Sequence, residues 1–404
     1  MSHRTPSRAA GFTLIELVVV MGILSGFLVM LVQMLDTGVR MFGEGELGQA
    51  LADRASAAQR AVSRELTLLR GSPTGRDRDS CDDRLVVQQL AIGLPPRPER
   101  GATRVQVLRA AVRIEPEREL ALVRAQAALR LLETDPNLPE LELQQRLDAA
   151  VKREPLRGLG NLLLIPWRQE GDDEALLELR AGWFLPGQVI PVGPDRSVDP
   201  FTVPVPGGGD LPGLAVHATT LPVLTDLLHV EFELWAQTTR RWSVDSGGTT
   251  AAGGGLPLRM WDSARGGWLV DDASGGEFPL DRGAASEQDP RDDVHPHAIR
   301  VRVVVAQPPA FSPEGVMVSS IDAEDTVLVL YNGSLFPGPD TNGMIKLRGE
   351  WISYAERVGD ELRGLRRGQR STKPLEHPAG CRVHVGRTVE FVLPIAHHKD
   401  DWNG

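Results

Sequence analysis

The chain has only two cysteines in 404 residues, Cys81 and Cys381. That excludes a disulfide scaffold and any zinc site of paired Cys-x-x-Cys spacing. Net positive charge is also missing. The formal balance is −10, with 44 basic against 54 acidic residues. Binding nucleic acid needs clustered Lys and Arg, and the single basic cluster, "LRGLRRGQRSTK", is short and reads as a solvated loop. No partner nucleic acid is expected. Recognisable catalytic motifs are absent too: no nucleophile elbow, phosphate loop, zinc helix or calcium loop occurs. "GGGD" and "AAGGG" lack the strand–glycine–helix context of a phosphate cradle. His295 and His297, and the His397, His398, Asp400 and Asp401 group, read as exposed polar residues rather than metal ligands. The expectation is a protein with no cofactor and no metal that is not an enzyme.

Long hydrophobic runs are lacking as well, with one exception. From Leu17 to Leu35 there is no charged residue, and Gln33 is the most polar position. About twenty residues span a bilayer at 1.5 Å rise each. Arg4 and Arg8 precede the run, whereas Asp36, Glu44 and Glu46 outnumber Arg40 after it. The positive-inside rule places the N-terminus in the cytoplasm and the body outside. Glu16 stands at the edge of this run, where a carboxylate costs up to about 2.5–3.5 kcal/mol if carried to mid-bilayer. Snorkelling toward the headgroups is one relief.

"GFTLIELVVVMGIL" supplies another, because it resembles the class III signal of type IV pilins and of the pseudopilins of type II secretion. The resemblance implies that prepilin peptidase cleaves between Gly11 and Phe12, that Phe12 is N-methylated, and that Glu16 is the family's acid at the fifth mature position. The physics agrees. Cleavage leaves an amine on Phe12 in or near the membrane, where an unpaired amine and an unpaired carboxylate are each costly. Pairing Glu16 with the Phe12 amine of a neighbouring subunit removes both costs and sets register. Gly22 and Gly26 form a G-x-x-x-G, which permits close helix approach in lipid.

Beyond the run, Leu35, Val39, Phe42, Leu47, Leu51, Ala55, Ala58, Val62, Leu66 and Leu69 recur mostly at three and four residues, predicting an amphipathic continuation to about Arg70. Gly38, Gly43, Gly45 and Gly48 weaken its middle, where a bend is expected. Glycine (42) and proline (30) stay below the combined ~25–30% of low-complexity chains, so the body should be turn-rich and folded. "DRLVVQQLAIGL" reads as strand. Leu120, Val123, Ala127 and Leu131, then Leu141 to Val151, have helical spacing and predict a helical hairpin inserted within 95–160. In "LLHVEFELWAQTTRRW" the alternation puts Val230, Phe232 and Leu234 on one face. With "LPLRMWDSARGGWLV" and "HPHAIRVRVVVA" it resembles the head of J-type minor pseudopilins and the related W-type minor pilins, over roughly 227–306 and 387–395. His297 departs from that pattern. A run of short strands at 311–386, carrying "LFP", "GMIKLRGEWISY", "LRGLRRGQRST" and "HPAGCRV", resembles a small β module of phage tail-associated proteins. There Trp351, Tyr354 and Arg366 either form a binding surface or, for the two aromatics, pack the module's own core.

The expected fold is α+β and type IV pilin-like. Residues 1–11 are a cleaved leader, 12–35 a transmembrane helix and 36–70 its continuation. Residues 71–310 and 387–404 form an antiparallel head, with the β module between. The expected protein is a minor pseudopilin of a type II secretion system, single-pass in the inner membrane with a periplasmic body. Its partners are prepilin peptidase, other major and minor pseudopilins, and a cargo or surface ligand on the module. The alternatives are a minor pilin of a type IV pilus and a membrane-tethered periplasmic enzyme. In an oxidising compartment a Cys81–Cys381 bridge and two thiols are both open; thiols are expected. Mass spectrometry of the N-terminal peptide will find a methylated Phe12; a chain starting at Met1 or Ser2 contradicts the processing.

Overall fold

The computed structural model describes residues 14–67, 69, 85–92, 103–153, 156, 158–168, 175–185, 220–236, 241–242, 259–262, 267–270, 296–307, 315–339, 343–370, 372 and 374–395. The chain divides into two units, Met1–Asp53 and Arg54–Gly404.

The first unit is dominated by helix α1, Leu14–Leu66. Its Leu, Met and Val run forms a helix whose side chains at Leu14, Ile15 and Leu17–Leu35 are exposed. The glycines at which a bend was expected lie inside α1, which continues through them as one element. The last turns, in the second unit, are rich in Ala, Arg and Glu, strong helix formers. There Ala58, Val62 and Leu66 are buried. Thr67 closes the helix: its N–H reaches Ser63 O at 2.8 Å and its hydroxyl reaches Arg64 O at 3.0 Å.

In the second unit ten strands form one antiparallel sheet. Its first five run as a meander: β1 Val86–Ile92, β2 Thr103–Arg113, β3 Leu159–Arg168, β4 Leu177–Phe184 and β5 Leu221–Ala236. β6, Arg241–Trp242, pairs back onto β5, while β7, Arg259–Asp262, and β8, Gly267–Val270, extend the sheet beyond β1. β9, Ala298–Ala306, lies on β5, and the edge strand Gly386–Pro394 lies on β9. Val230, Phe232 and Leu234 stand opposite Val303, Val301 and Ile299. All six are buried in the core that also takes Val62, Leu66 and Leu69, as the alternation predicts. The other face of the same strands carries Glu231 opposite Arg302 and Glu233 opposite Arg300.

The segment 95–160, expected as an insertion, is only partly one. β2 is an inner strand between β1 and β3. Residues 106–112 are all buried, so both faces are covered and the alternation that marks a half-exposed strand is blurred. The helical hairpin leaves the sheet only after β2: α2 is Pro116–Thr134 and α3 is Glu140–Val151. Pro116 and the first-turn acids Glu117 and Glu119 suit a helix start. Arg118 ties the hairpin down, with its guanidinium 4.1 Å above Trp183 and 3.5 Å from Glu65.

Between β9 and the edge strand, eight further strands build a second antiparallel sheet. They are β10 Gly315–Met317, β11 Val327–Tyr331, β12 Met344–Leu347, β13 Glu350–Ser353, β14 Glu356–Val358, β15 Glu361–Arg363, β16 Arg366–Gln369 and β17 Arg382–His384. The edge strand of the first sheet is therefore β18. This sheet has its own apolar core, including Leu328, Leu330, Phe336, Ile345, Leu347 and Ile352. Cys381 is half-buried against it; Cys81 lies outside the described residues. Gly386 carries the chain back into the first sheet, where a Cβ would lie 2.7 Å from both Val304 and the Val305 carbonyl.

A buried ion network closes the second sheet. Glu350 is fully buried. Its carboxylate accepts from Arg367 Nε and Nη2 at 2.8 Å each, from the Gly368 and Leu375 N–H groups at 3.0 Å each, and from His377 Nε2 at 2.8 Å. Burial opposes its ionisation, but the hydrogen bonds from His377 and Arg367 outweigh it and hold the carboxyl at about 2. His377 Nε2 must carry the hydrogen, since an ionised carboxylate has only lone pairs to offer. Removing one member strands a buried Arg, so Glu350→Gln should cost on the order of 3–5 kcal/mol. A depressed carboxyl contributes its stability above the ordinary value and loses it as pH falls toward 2. Chemical denaturation at stepped pH should show an acid-side loss between about 4.5 and 2 that Glu350→Gln lacks. Equal acid limbs contradict the network's role.

Candidate functional site

The first candidate surface is the start of α1. Leu17–Leu35 is long and apolar enough to cross a membrane, and none of it is buried within the chain. Its small polar groups are satisfied locally: Ser25 Oγ donates to Met21 O and Thr37 Oγ1 to Gln33 O, each at 2.8 Å. Gly22 and Gly26 lie on this exposed helix, and a Cβ at either would meet nothing within 4 Å, so close approach from outside is open. Glu16 lies in the first turn of α1, where the helix dipole favours an acid. Gly11 and Phe12 lie outside the described residues.

The second candidate is the seam between the sheets. Ala175, Leu228, Val304, Ala306 and Trp351 form a separate buried cluster there. Lys346 enters it from β12 at 1% exposure and donates to the carbonyls of Ala175 at 2.7 Å and Leu228 at 2.6 Å. The β5 register shifts between Leu227 and His229, and the Leu228 carbonyl falls at that irregularity. Trp351 is held between cations and an imidazole. Arg370 stacks 4.5 Å above its ring, Lys346 Nζ lies 6.0 Å away, and His229 meets it edge-on at 6.1 Å. Burial, then the charges of Arg370, Lys346 and Arg302, hold His229 well below the usual histidine range. Burial likewise brings Arg370 down to about 10 and raises Glu231, although Arg302 sits 2.7 Å from that carboxylate.

Of the two readings open for Trp351 and Tyr354, this geometry shows packing for both aromatics. Trp351 is 2% and Tyr354 4% exposed. β13 is flanked by β12 and β16, so Trp351 has no sheet edge to occupy and goes into the seam. Tyr354 packs in the second core, donates to Pro337 O at 2.5 Å and is pushed up to about 12 by burial. Arg366 alone is exposed.

Lys346, Glu350, Arg367 and His377 were not singled out from the sequence. A lysine within "MIKL" and a glutamate opening "EWIS" interrupt apolar strands, and that interruption was the signal available. The Glu350–His377 pair has the residue types of an acid–base dyad, and both side chains are fully buried. Among the described residues no group of three or more His, Cys, Asp or Glu is placed to hold a metal ion. His295, His397, His398, Asp400 and Asp401 lie outside them.

Residues 6–32 match the family described as the prokaryotic N-terminal methylation motif. No curated protein and no solved structure matches the chain. The motif is that of type IV pilin-like prepilins. It implies processing by prepilin peptidase and assembly with other pilins, and it runs directly into a helix fit to be a membrane anchor.

Charge-assisted hydrogen bonds contribute about 1.5–3 kcal/mol each. Lys346→Met keeps the stem in the seam and removes both bonds to Ala175 and Leu228. Urea unfolding of the purified protein should show a loss of several kcal/mol, with Trp351 fluorescence shifting to the red. A change under about 0.5 kcal/mol, ordinary for surface sites, would show that Lys346 does not hold the seam.

Proposed function

We propose that this chain is a minor pseudopilin of a type II secretion system, J-like, placed at or near the tip of a short periplasmic filament. It spans the inner membrane once, with the N-terminus cytoplasmic and the body periplasmic. Its work is assembly rather than catalysis. The observation that carries the reading is the methylation motif at 6–32 leading into an apolar span that the chain leaves unburied. Such a surface requires lipid before assembly and other helices after it. Glu16 docks on the Phe12 amine of a neighbour, and Gly22 and Gly26 let the helices close. The J-like assignment is supported by the order of β5, β7, β8 and β9, with Trp261 and Trp268 as register partners on β7 and β8. The second sheet, similar in sequence to a phage tail-associated module, serves as a presented domain for a cargo or surface ligand.

The test is genetic and biochemical together. Glu16→Ala should leave cleavage after Gly11 intact and lower incorporation into the filament at least tenfold, read by crosslinking to a second pseudopilin. Normal incorporation removes Glu16 as the docking group. Deleting the gene should abolish secretion through the type II channel while surface pili persist. Loss of pili with secretion intact would instead make the chain a minor pilin.

A further inference from the structure

We infer that the seam between the two sheets is an acid-sensitive joint: a proton on His229 parts the second sheet from the first and leaves it hinged where Gly386 pairs with Ala306.

The seam can part without unfolding either sheet. Each sheet has an apolar core of its own. Only a small cluster of Ala175, Leu228, Val304, Ala306 and Trp351 lies between them. Parting uncovers these side chains and breaks the two bonds of Lys346 to Ala175 and Leu228. The strand ladders within both sheets are untouched. The chain stays connected through β9 and β18, whose pairing begins with Gly386 opposite Ala306.

His229 stands where this cluster is most sensitive to added charge. It follows the β5 irregularity, and its register partner is the seam residue Val304. Its ring lies nearly perpendicular to that of Trp351, at 6.1 Å. The same indole already takes Arg370 at 4.5 Å and Lys346 Nζ at 6.0 Å. Arg302 adds a third cation from β9. Among the described residues the carboxylate within ion-pair reach of His229 is Glu231, 3.9 Å from Nε2. That carboxylate is engaged by Arg302 at 2.7 Å, and Arg302 is shared with Glu233 and Glu390. The His229 side chain is only 13% exposed, so water does little to solvate a charge there. An imidazolium would be a fourth cation beside one committed carboxylate. Parting the seam admits the water that this charge needs.

Burial, then Arg370, Lys346 and Arg302, hold His229 well below the ordinary 6.5 in the closed seam. A parted seam returns it to the ordinary range. The closed form is therefore fully stable above 6.5 and loses stability as pH falls below it. The ratio of parted to closed forms rises about tenfold per pH unit, until the closed form also takes up the proton. Glu231 acts with the opposite sign. Burial raises its carboxyl, so its protonation favours the closed form and cannot open the seam. Arg302 is raised and Arg370 stays at about 10, so both remain charged. Glu350 is held at about 2, which keeps the second sheet's own ion network charged while the seam parts.

The test uses the full-length chain in detergent micelles, labelled with fluorotryptophan or, separately, with fluorotyrosine. Fluorine NMR follows Trp351 in the seam, Trp167 in the first core and Tyr354 in the second. Trp351→Phe, Trp167→Phe and Tyr354→Phe assign the signals. As pH is lowered from about 7 to about 5, Trp351 should move to its solvent-exposed shift while Trp167 and Tyr354 keep theirs. His229→Gln stays polar and takes up no proton, so its Trp351 signal should remain that of the buried ring throughout. Should that variant fail to fold, His229→Phe makes the same measurement. A Trp351 signal that stays buried over the whole range overturns the joint. An equal transition in the variant overturns His229 as the trigger. A transition shared with Trp167 or Tyr354 is unfolding of a sheet rather than parting of the seam, and overturns the joint as well.

Discussion

A membrane-length apolar surface that its own chain does not cover is the constraint on which the rest depends. Burying one Leu, Ile or Phe side chain fully contributes about 1.5–3 kcal/mol, and Leu17–Leu35 leaves such side chains exposed over its whole length. Water is not a tolerable solvent for them. They need a bilayer or other helices, and a protein that exchanges one for the other must have a means of choosing register. Glu16 stands at the start of this surface. The same helix ends on different terms: Val62 and Leu66 are buried in the core of the first sheet. One element thus meets an external apolar phase at its start and an internal core at its end.

The two sheets are joined by a buried seam of one lysine and an apolar cluster. The second sheet leaves the first after β9 and returns at β18, and Ala306 and Gly386, at the two ends of that excursion, are register partners. Its attachment is therefore a narrow neck, steadied by the seam. Lys346 buried on two carbonyls, with Trp351 in an apolar cluster, fixes orientation more than apolar contact alone would. Glu350, Arg367 and His377 do the corresponding work inside the second sheet, tying β13 and β16 to the segment Leu375–His377. Removing one partner from such a network leaves an uncompensated buried charge.

The sequence was most legible where one physical rule acted alone. The apolar run, the Ala-rich stripe ending in Val62 and Leu66, and the alternation of Val230, Phe232 and Leu234 each follow a single periodicity. The hairpin of α2 and α3 was visible for the same reason. β2 was not, because both of its faces are covered and its apolar positions merge into a run without period. Trp351 was ambiguous because an aromatic in a short strand fits an exposed edge and a buried seam equally; only the strand order, with β13 inside the sheet, separates them. The short motifs that carry the phage-module resemblance hold Lys346, Glu350, Arg367 and His377. Their spacing, up to 31 residues between Lys346 and His377, says nothing of convergence until the sheet brings them together.

The central claim is that the exposed start of α1 is completed by other subunits. Crosslinking mass spectrometry of isolated, membrane-free filaments tests it most directly. The account predicts this chain in the filament fraction, with α1 residues between Leu17 and Leu35 joined to the corresponding helices of other pilin-like subunits. A processed chain that stays wholly in the membrane fraction, and filaments that lack it, would contradict the account.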